Sequence, residues 1–167
     1  MRKEGGVRID RIWAMPDKWT FTIPPIKSLI QEEVTGISAD PFSGENSPAT
    51  HKNDIVVGRS GDGGGQEDAL TWLRNRESLF YDTVLYDPPY SITQARMYGK
   101  AEFSSMAYWA DCKNEISRIV KVGGKVICFG WNSMGIGKNR GFRMTRILLV
   151  PHGGSKNDTI VTVETKE

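Results

Sequence analysis

Cysteine and histidine are scarce in this chain, with two of each among 167 residues. Two cysteines are too few for a disulfide-framed scaffold. The setting of Cys112 and Cys128 reads as core, so a reducing, cytoplasmic setting is expected. No Cys/His spacing typical of a zinc site occurs. No apolar run approaches the roughly 18 residues a membrane-spanning helix needs. The opening Met1-Arg2-Lys3-Glu4-Gly5-Gly6 leads into no apolar segment, and no secretory signal is expected. An excess of one charge is lacking too: 22 basic side chains face 20 acidic ones, for a net charge of +2. This balance excludes a wholly basic, tail-like nucleic-acid binder but leaves room for a local basic face. What is present is 38% hydrophobic residues, enough for a packed core in a single domain spanning 1–167.

Residues 1–11 are polar and basic and are expected to be irregular. Residues 12–23 mix Trp13, Trp19 and Phe21 with a turn at Pro16-Asp17-Lys18. Pro24-Pro25 then opens a helix, since proline is welcome at the first helical position. Ile26, Leu29, Ile30 and Val34 follow at helical spacing, and Gly36 is the expected stop. Residues 35–40 and 49–57 read as strands, and the five glycines within 58–65 as a flexible loop. Asp68 can cap a helix over 69–77. Residues 81–86 form a strand that must leave the sheet at Asp87-Pro88-Pro89-Tyr90, because proline cannot continue a central strand.

A loop over 91–103 precedes a helical stripe made by Met106, Trp109, Cys112, Ile116, Ile119 and Val120. Gly123-Gly124 is the expected helix end, and 125–131 a buried strand. A glycine-rich loop over 132–141 leads to two strands, 142–150 and 159–165, whose short link makes them an antiparallel pair. Alternating strands and helices with a closing hairpin predict an open α/β sheet, mostly parallel. Ligands of such sheets bind at the carboxyl ends of the strands. Here those ends carry Asp40-Pro41-Phe42, Asp54, Asp87-Pro88-Pro89-Tyr90 and Gly130-Trp131-Asn132, four special clusters on one rim.

Asp87-Pro88-Pro89-Tyr90 is the sharpest of these signals, and its place at a strand end separates it from an ordinary turn. Together with Asp40-Pro41-Phe42-Ser43-Gly44, Asn53-Asp54, Asp68-Ala69-Leu70, the run from Gly123 to Ser133 and His152-Gly153-Gly154, it gives the chain a resemblance to a known family. The sequence resembles the amino-group DNA methyltransferases that use S-adenosylmethionine, in particular the small adenine methyltransferase domains of phages and prophages. The resemblance implies a class I, Rossmann-like methyltransferase sheet and methyl transfer to the exocyclic N6 amine of adenine in DNA. S-adenosylmethionine is the implied cofactor, S-adenosylhomocysteine the product, and no metal is needed.

The chemistry explains the residue types. The adenine amine is a poor nucleophile because its lone pair is delocalised into the ring. Two acceptors aimed at its N–H bonds favour a pyramidal nitrogen and stabilise the positive charge that develops there. Asp87 supplies a carboxylate and Pro88 a backbone carbonyl, while the fixed φ of Pro88 and Pro89 stiffens the turn. Tyr90 can stack on the base. Proton loss can follow transfer, so neither His51 nor His152 is assigned a catalytic role. A duplex base reaches such a pocket only by flipping out.

By the same resemblance, Asp40, Pro41, Phe42 and Gly44 lie against the methionine part of the cofactor. Asn46 stands where the usual Phe-x-Gly-x-Gly pattern has its second glycine. Asp54 falls where a carboxylate accepts from the ribose hydroxyls. Asp68, with Ala69 after it, reads equally as an acceptor for the cofactor's adenine amine and as a plain helix cap. Thr22 is expected to close the pocket from the N-terminal side. Between Asn132 and Asn157 stand five basic residues and no acid. Of these, Lys138, Arg140, Arg143 and Arg146 are expected to form a nucleic-acid-binding face beside the rim. Trp131 and Tyr98 are candidate base-stacking neighbours, a core role for Trp131 being equally open.

The enzymes resembled usually carry a separate target-recognition domain, and none is expected within 1–167. Specificity is therefore expected to be low, or to come from the loops 91–103 and 132–141, from a homodimer or from a partner subunit. Cytosine N4 and RNA adenine are alternative acceptors. A non-catalytic, partner-dependent subunit that binds nucleic acid or cofactor is the alternative outside the enzyme class.

Overall fold

A computed structural model of the chain describes residues 5–56, 58–61, 63–89 and 106–167. Among these residues one sheet of seven strands carries helices on both faces. The strands are β1 (Arg8–Arg11), β2 (Ser38–Asp40), β3 (His51–Lys52), β4 (Tyr81–Tyr86), β5 (Val120–Gly130), β6 (Phe142–Val150) and β7 (Thr159–Lys166). The helices are α1 (Pro24–Glu33), α2 (Ala69–Arg74) and α3 (Met106–Ile119). Strand order across the sheet is β1-β6-β7-β5-β4-β2-β3. β7 runs antiparallel to both β5 and β6, and the other pairings are parallel. The predicted α/β sheet with its C-terminal antiparallel pair is therefore present.

The central strands are apolar on both faces, as strands covered on both sides must be. Their side chains alternate between two cores. Val84 and Tyr86 of β4, with Val126 and Cys128 of β5, pack under α2 and α3 against Leu73, Cys112 and Ile116. Leu85, Ile127 and Phe129 point the other way, onto Ile26, Leu29 and Ile30 of α1. Cys112 and Cys128 are thus free thiols within one apolar layer.

Several expectations about the elements need correction, and the strand expected over 49–57 is only His51–Lys52. Residues 8–11 are a strand, not irregular chain: β1 pairs in parallel with β6 from Arg8↔Arg146 to Arg11↔Leu149. The alternation Val7-Arg8-Ile9-Asp10 carried that signal, masked by its charge. Gly123-Gly124 does not end α3, because the chain passes directly from Ile119 into β5. The glycines lie in a bulge there, where the β4 pairing jumps from Tyr81↔Val120 to Thr83↔Lys125 and Gly123 takes φ +80°. α1 stops at Glu33, short of Gly36, with the Val34 N–H still bonded to the Ile30 carbonyl at 3.0 Å. Among the described residues no helix is long and apolar enough to cross a membrane.

Candidate functional site

β2 lies at the switch point of the sheet. The chain steps from β2 outward to β3, then returns to the other side of β2 as β4. Loops leaving adjacent strands in opposite directions open a crevice at their carboxyl ends. A cavity of about 500 Å³ occupies that crevice. Its walls include Pro41, Phe42 and Gly44 after β2, Asp54 after β3, Asp68 and Ala69 at the start of α2, and Asp87, Pro88 and Pro89 after β4. Nine sequence-predicted site residues thus converge on one cavity. Tyr90, Tyr98 and the 91–103 loop lie outside the described residues.

The walls are fixed by hydrogen bonds that the short strands alone do not supply. Asp40 is fully buried beneath the 41–47 loop and does not line the cavity. Its carboxylate accepts the Ser47 hydroxyl at 2.6 Å and the Phe42 N–H at 3.0 Å. Burial pushes this carboxyl up to about 7; the two hydrogen bonds oppose the shift, and the charges of Asp87 and Asp54 add to it. Asp40 therefore shapes the loop and stands one layer behind the site. Buried Asn53 clamps the neighbouring walls, donating its amide to the Pro41 and Glu67 carbonyls and accepting the Glu67 N–H. Asp54 reaches the cavity, accepting the Gly44 N–H at 3.0 Å and the Val56 N–H at 2.8 Å. Gly44 takes φ +57°, and a Cβ there would point at the Trp19 ring 3.5 Å away. A side chain at this position would strain the backbone.

Asp68 is both cap and wall. Oδ2 accepts the Thr71 N–H at 3.0 Å, closing the first turn of α2. Oδ1 accepts the Tyr108 hydroxyl of α3 at 2.6 Å. Burial and this bond to a carboxylate hold the Tyr108 phenol well above its usual range. Phe42 meets Tyr86 and Trp109 edge-on or tilted at 6.0 Å each, which makes an aromatic floor. On the far side, His152 lines the cavity with both ring nitrogens engaged. The Ala14 carbonyl can only accept, so Nδ1 donates to it at 2.8 Å, and Nε2 shares a hydrogen bond with the Thr159 hydroxyl at 2.8 Å. His152 thereby pins the N-terminal segment to the start of β7.

Besides Asp40, two expected contributions are not found at the cavity. Thr22 is exposed, donates its hydroxyl to the Trp19 carbonyl at 2.8 Å and does not line the cavity; Thr20 and Phe21 do. The expected basic face beside the rim is not formed. The 131–141 loop crosses the full height of the sheet, so Lys138 and Arg140 precede β6 at the end opposite the cavity. Arg140 donates to Asn114 and the Ile136 carbonyl there, and Arg143 pairs with the terminal Glu167 at 2.8 Å. Arg146 is buried, and Asp10, Glu32 and Glu33 surround its guanidinium at 3.3, 2.6 and 3.1 Å. Linear spacing put these cations together, but strand pairing separates them from the rim. The cations at the cavity mouth are instead Lys18, Arg59 and Lys156. Lys18 and Arg59 lie over the Trp19 ring at 5.1 and 5.9 Å. Trp131 is half-exposed on the rim, which settles it as surface and not core.

Fold and crevice together define the class I, Rossmann-like fold of methyltransferases. No family model matches the chain, and no curated protein matches it in sequence. Solved structures match its fold. TrmN from Thermus thermophilus aligns with a TM-score of 0.58 at 17% identity, covering 87% of this chain and 49% of that one. The chain thus spans about half the length of TrmN. A 1,6-didemethyltoxoflavin-N1-methyltransferase from Burkholderia thailandensis, with bound 1,6-didemethyltoxoflavin and S-adenosylhomocysteine, aligns at 0.57 and 10% identity, covering 85% and 75% of the two chains. The N-methyltransferase NodS from Bradyrhizobium japonicum aligns at 0.56 and 6% identity, covering 86% and 93%. At these identities the likeness is one of fold.

Proposed function

We propose that this chain transfers a methyl group from S-adenosylmethionine to the exocyclic N6 amine of adenine in DNA. One observation carries the reading: Asp87, Pro88 and Pro89 line the same cavity as Asp54 and Asp68. Donor and acceptor can therefore meet without passing through solvent.

The cavity's chemistry fits the cofactor. Its volume is that of a small-molecule site. Carboxylates at Asp54, Asp68 and Asp87 line it, in keeping with a cationic sulfonium and hydroxyl donors. Each Asp54 oxygen accepts one backbone N–H and keeps a lone pair for a ribose hydroxyl. Gly44 leaves the backbone bare for close approach of the methionine part. The cofactor, when bound, supplies an electrophilic methyl group. Everything else falls to the chain. Asp87 and the Pro88 carbonyl accept from the target amine, hold its nitrogen toward the donor and stabilise the charge that grows on it. Fixing that approach supplies much of the rate enhancement. Trp131 offers a face for the extruded base or its neighbour, and Lys18, Arg59 and Lys156 suit the phosphate backbone.

Transfer of labelled methyl to DNA, RNA and protein acceptors, followed by digestion to nucleosides, tests the reading. N6-methyladenine from DNA is the expected product. Label in cytosine, in RNA or in protein alone would replace this acceptor with another, and cofactor binding without turnover would favour a partner-dependent subunit.

A further inference from the structure

β1 ends the sheet, with β6 as its one neighbour among the described residues. The N–H of Ile12 bonds to the Leu149 carbonyl and that of Ala14 to the Pro151 carbonyl. Backbone groups alternate sides along a strand, so even-numbered residues address β6. Val7, Ile9 and Arg11 consequently turn their N–H and C=O groups outward. Apolar side chains gather along the same segment. Val7, Ile9, Ile12, Trp13 and Met15 are 42, 63, 48, 58 and 68% exposed, and they make up five of the eleven exposed large hydrophobics among the described residues. An open edge flanked by apolar side chains is a template for strand addition.

The charge pattern selects the occupant. We propose that β1 pairs antiparallel with β1 of a second copy of this chain, with Ile9 opposite Ile9 across a two-fold axis. In that register Arg8 faces Asp10 of the other copy, and the same contact recurs by symmetry. Registers centred on Arg8, Asp10 or Arg11 place like charges directly opposite, which is unfavourable. The segment is thus self-complementary in one isologous arrangement. Arg8 already reaches Asp10 within its own strand at 2.9 Å, so both groups lie on one face and can be shared between copies. The two sheets become continuous. Because the second copy's strands run the opposite way, the two cavities open on opposite edges of the joined sheet. The pairing does not depend on the reaction proposed above.

Sedimentation of the whole chain over a concentration series tests the pairing, with a dimer expected. Ile9→Pro removes an outward N–H without touching the β1–β6 bonds and should yield a monomer whose melting temperature is kept. Arg8→Glu should weaken the dimer by more than tenfold in Kd, since the new carboxylate faces Asp10 of the other copy. Ile9→Cys should cross-link to itself through a short bis-maleimide, while buried Cys112 and Cys128 stay silent. A wild-type monomer throughout overturns the proposal, as does a dimer unaffected by both Ile9→Pro and Arg8→Glu. If Ile9→Pro does not fold, Arg8→Glu and the Ile9→Cys cross-link decide the matter alone.

Discussion

The Ser47 hydroxyl lies 2.6 Å from Oδ2 of Asp40, in the fully buried layer beneath the cavity wall. The pair closes the 41–47 loop upon the end of β2, and it titrates. In the folded chain the Asp40 carboxyl keeps its proton to about pH 7, against an ordinary value of 3.8. Folding therefore takes up a proton between those values, and this group's contribution falls as pH rises through the window. The slope approaches about 1.4 kcal/mol per pH unit at its steepest. Asp40→Asn should flatten it. Denaturant melts of both proteins from pH 5 to 8 provide the check: parallel curves would show that Asp40 does not titrate in this range.

Asp87→Asn keeps the shape of the β4 turn but presents a neutral amide where the proposed mechanism places a carboxylate. Methyl transfer should fall by about a hundredfold or more. Cofactor affinity, measured by calorimetry, should stay within a few-fold. An equal loss in both would mean that Asp87 serves the cofactor and not the acceptor.

Arg146 and Lys138 stand close in sequence but should behave as opposites. Arg146→Ala leaves Asp10, Glu32 and Glu33 around a vacated buried site, at a cost of about 3 kcal/mol or more in a denaturant melt. Burial pushes the Glu33 carboxyl up, but hydrogen bonds from Lys125 and Arg146 outweigh it and hold the group below its ordinary value. That part of the stability is present at neutral pH and disappears as pH falls through the folded value. Lys138→Ala should change neither stability nor the salt dependence of DNA binding. Lys156→Ala, at the cavity mouth, should reduce the salt slope by about one.

Tyr108 donates its hydroxyl to Oδ1 of Asp68 at 2.6 Å, and Asp68 is the carboxylate that the proposed reading offers to the cofactor's adenine amine. Tyr108→Phe releases that oxygen, and cofactor affinity should rise several-fold, a difference of about 1 kcal/mol. Asp68→Asn should weaken it. Isothermal titration separates the cases: weaker binding in Tyr108→Phe would make the tyrosine a contact of the cofactor and not its competitor.

Much of the site was legible where short-range chemistry governs. The strand 81–86 and its exit at Asp87-Pro88-Pro89 follow from Thr83-Val84-Leu85-Tyr86 meeting two prolines. The Asp68 cap is a local bond between residues three apart. Other assignments failed for want of long-range information. Trp19, Arg59, Tyr108 and Lys156 reach the cavity from four separate segments, and nothing in their neighbours announces it. Asn53 carries no assigned role in the sequence reading, yet its amide ties two walls together. β1 is hard to read because charge masks its local alternation and its pairing energy comes from β6, more than a hundred residues away.

Sequence alone determined the alternating α/β order, the double-faced apolar strands and the residue types crowded at their carboxyl ends, since periodicity and proline chemistry act within a few residues. Tertiary structure decided which charges are used and where. Arg146 became a buried partner of three carboxylates, Asp40 a proton-holding support behind the wall, and Lys156 a cation at the mouth. The reason is physical: a charge's role depends on the dielectric and the partners around it, and strand register fixes both.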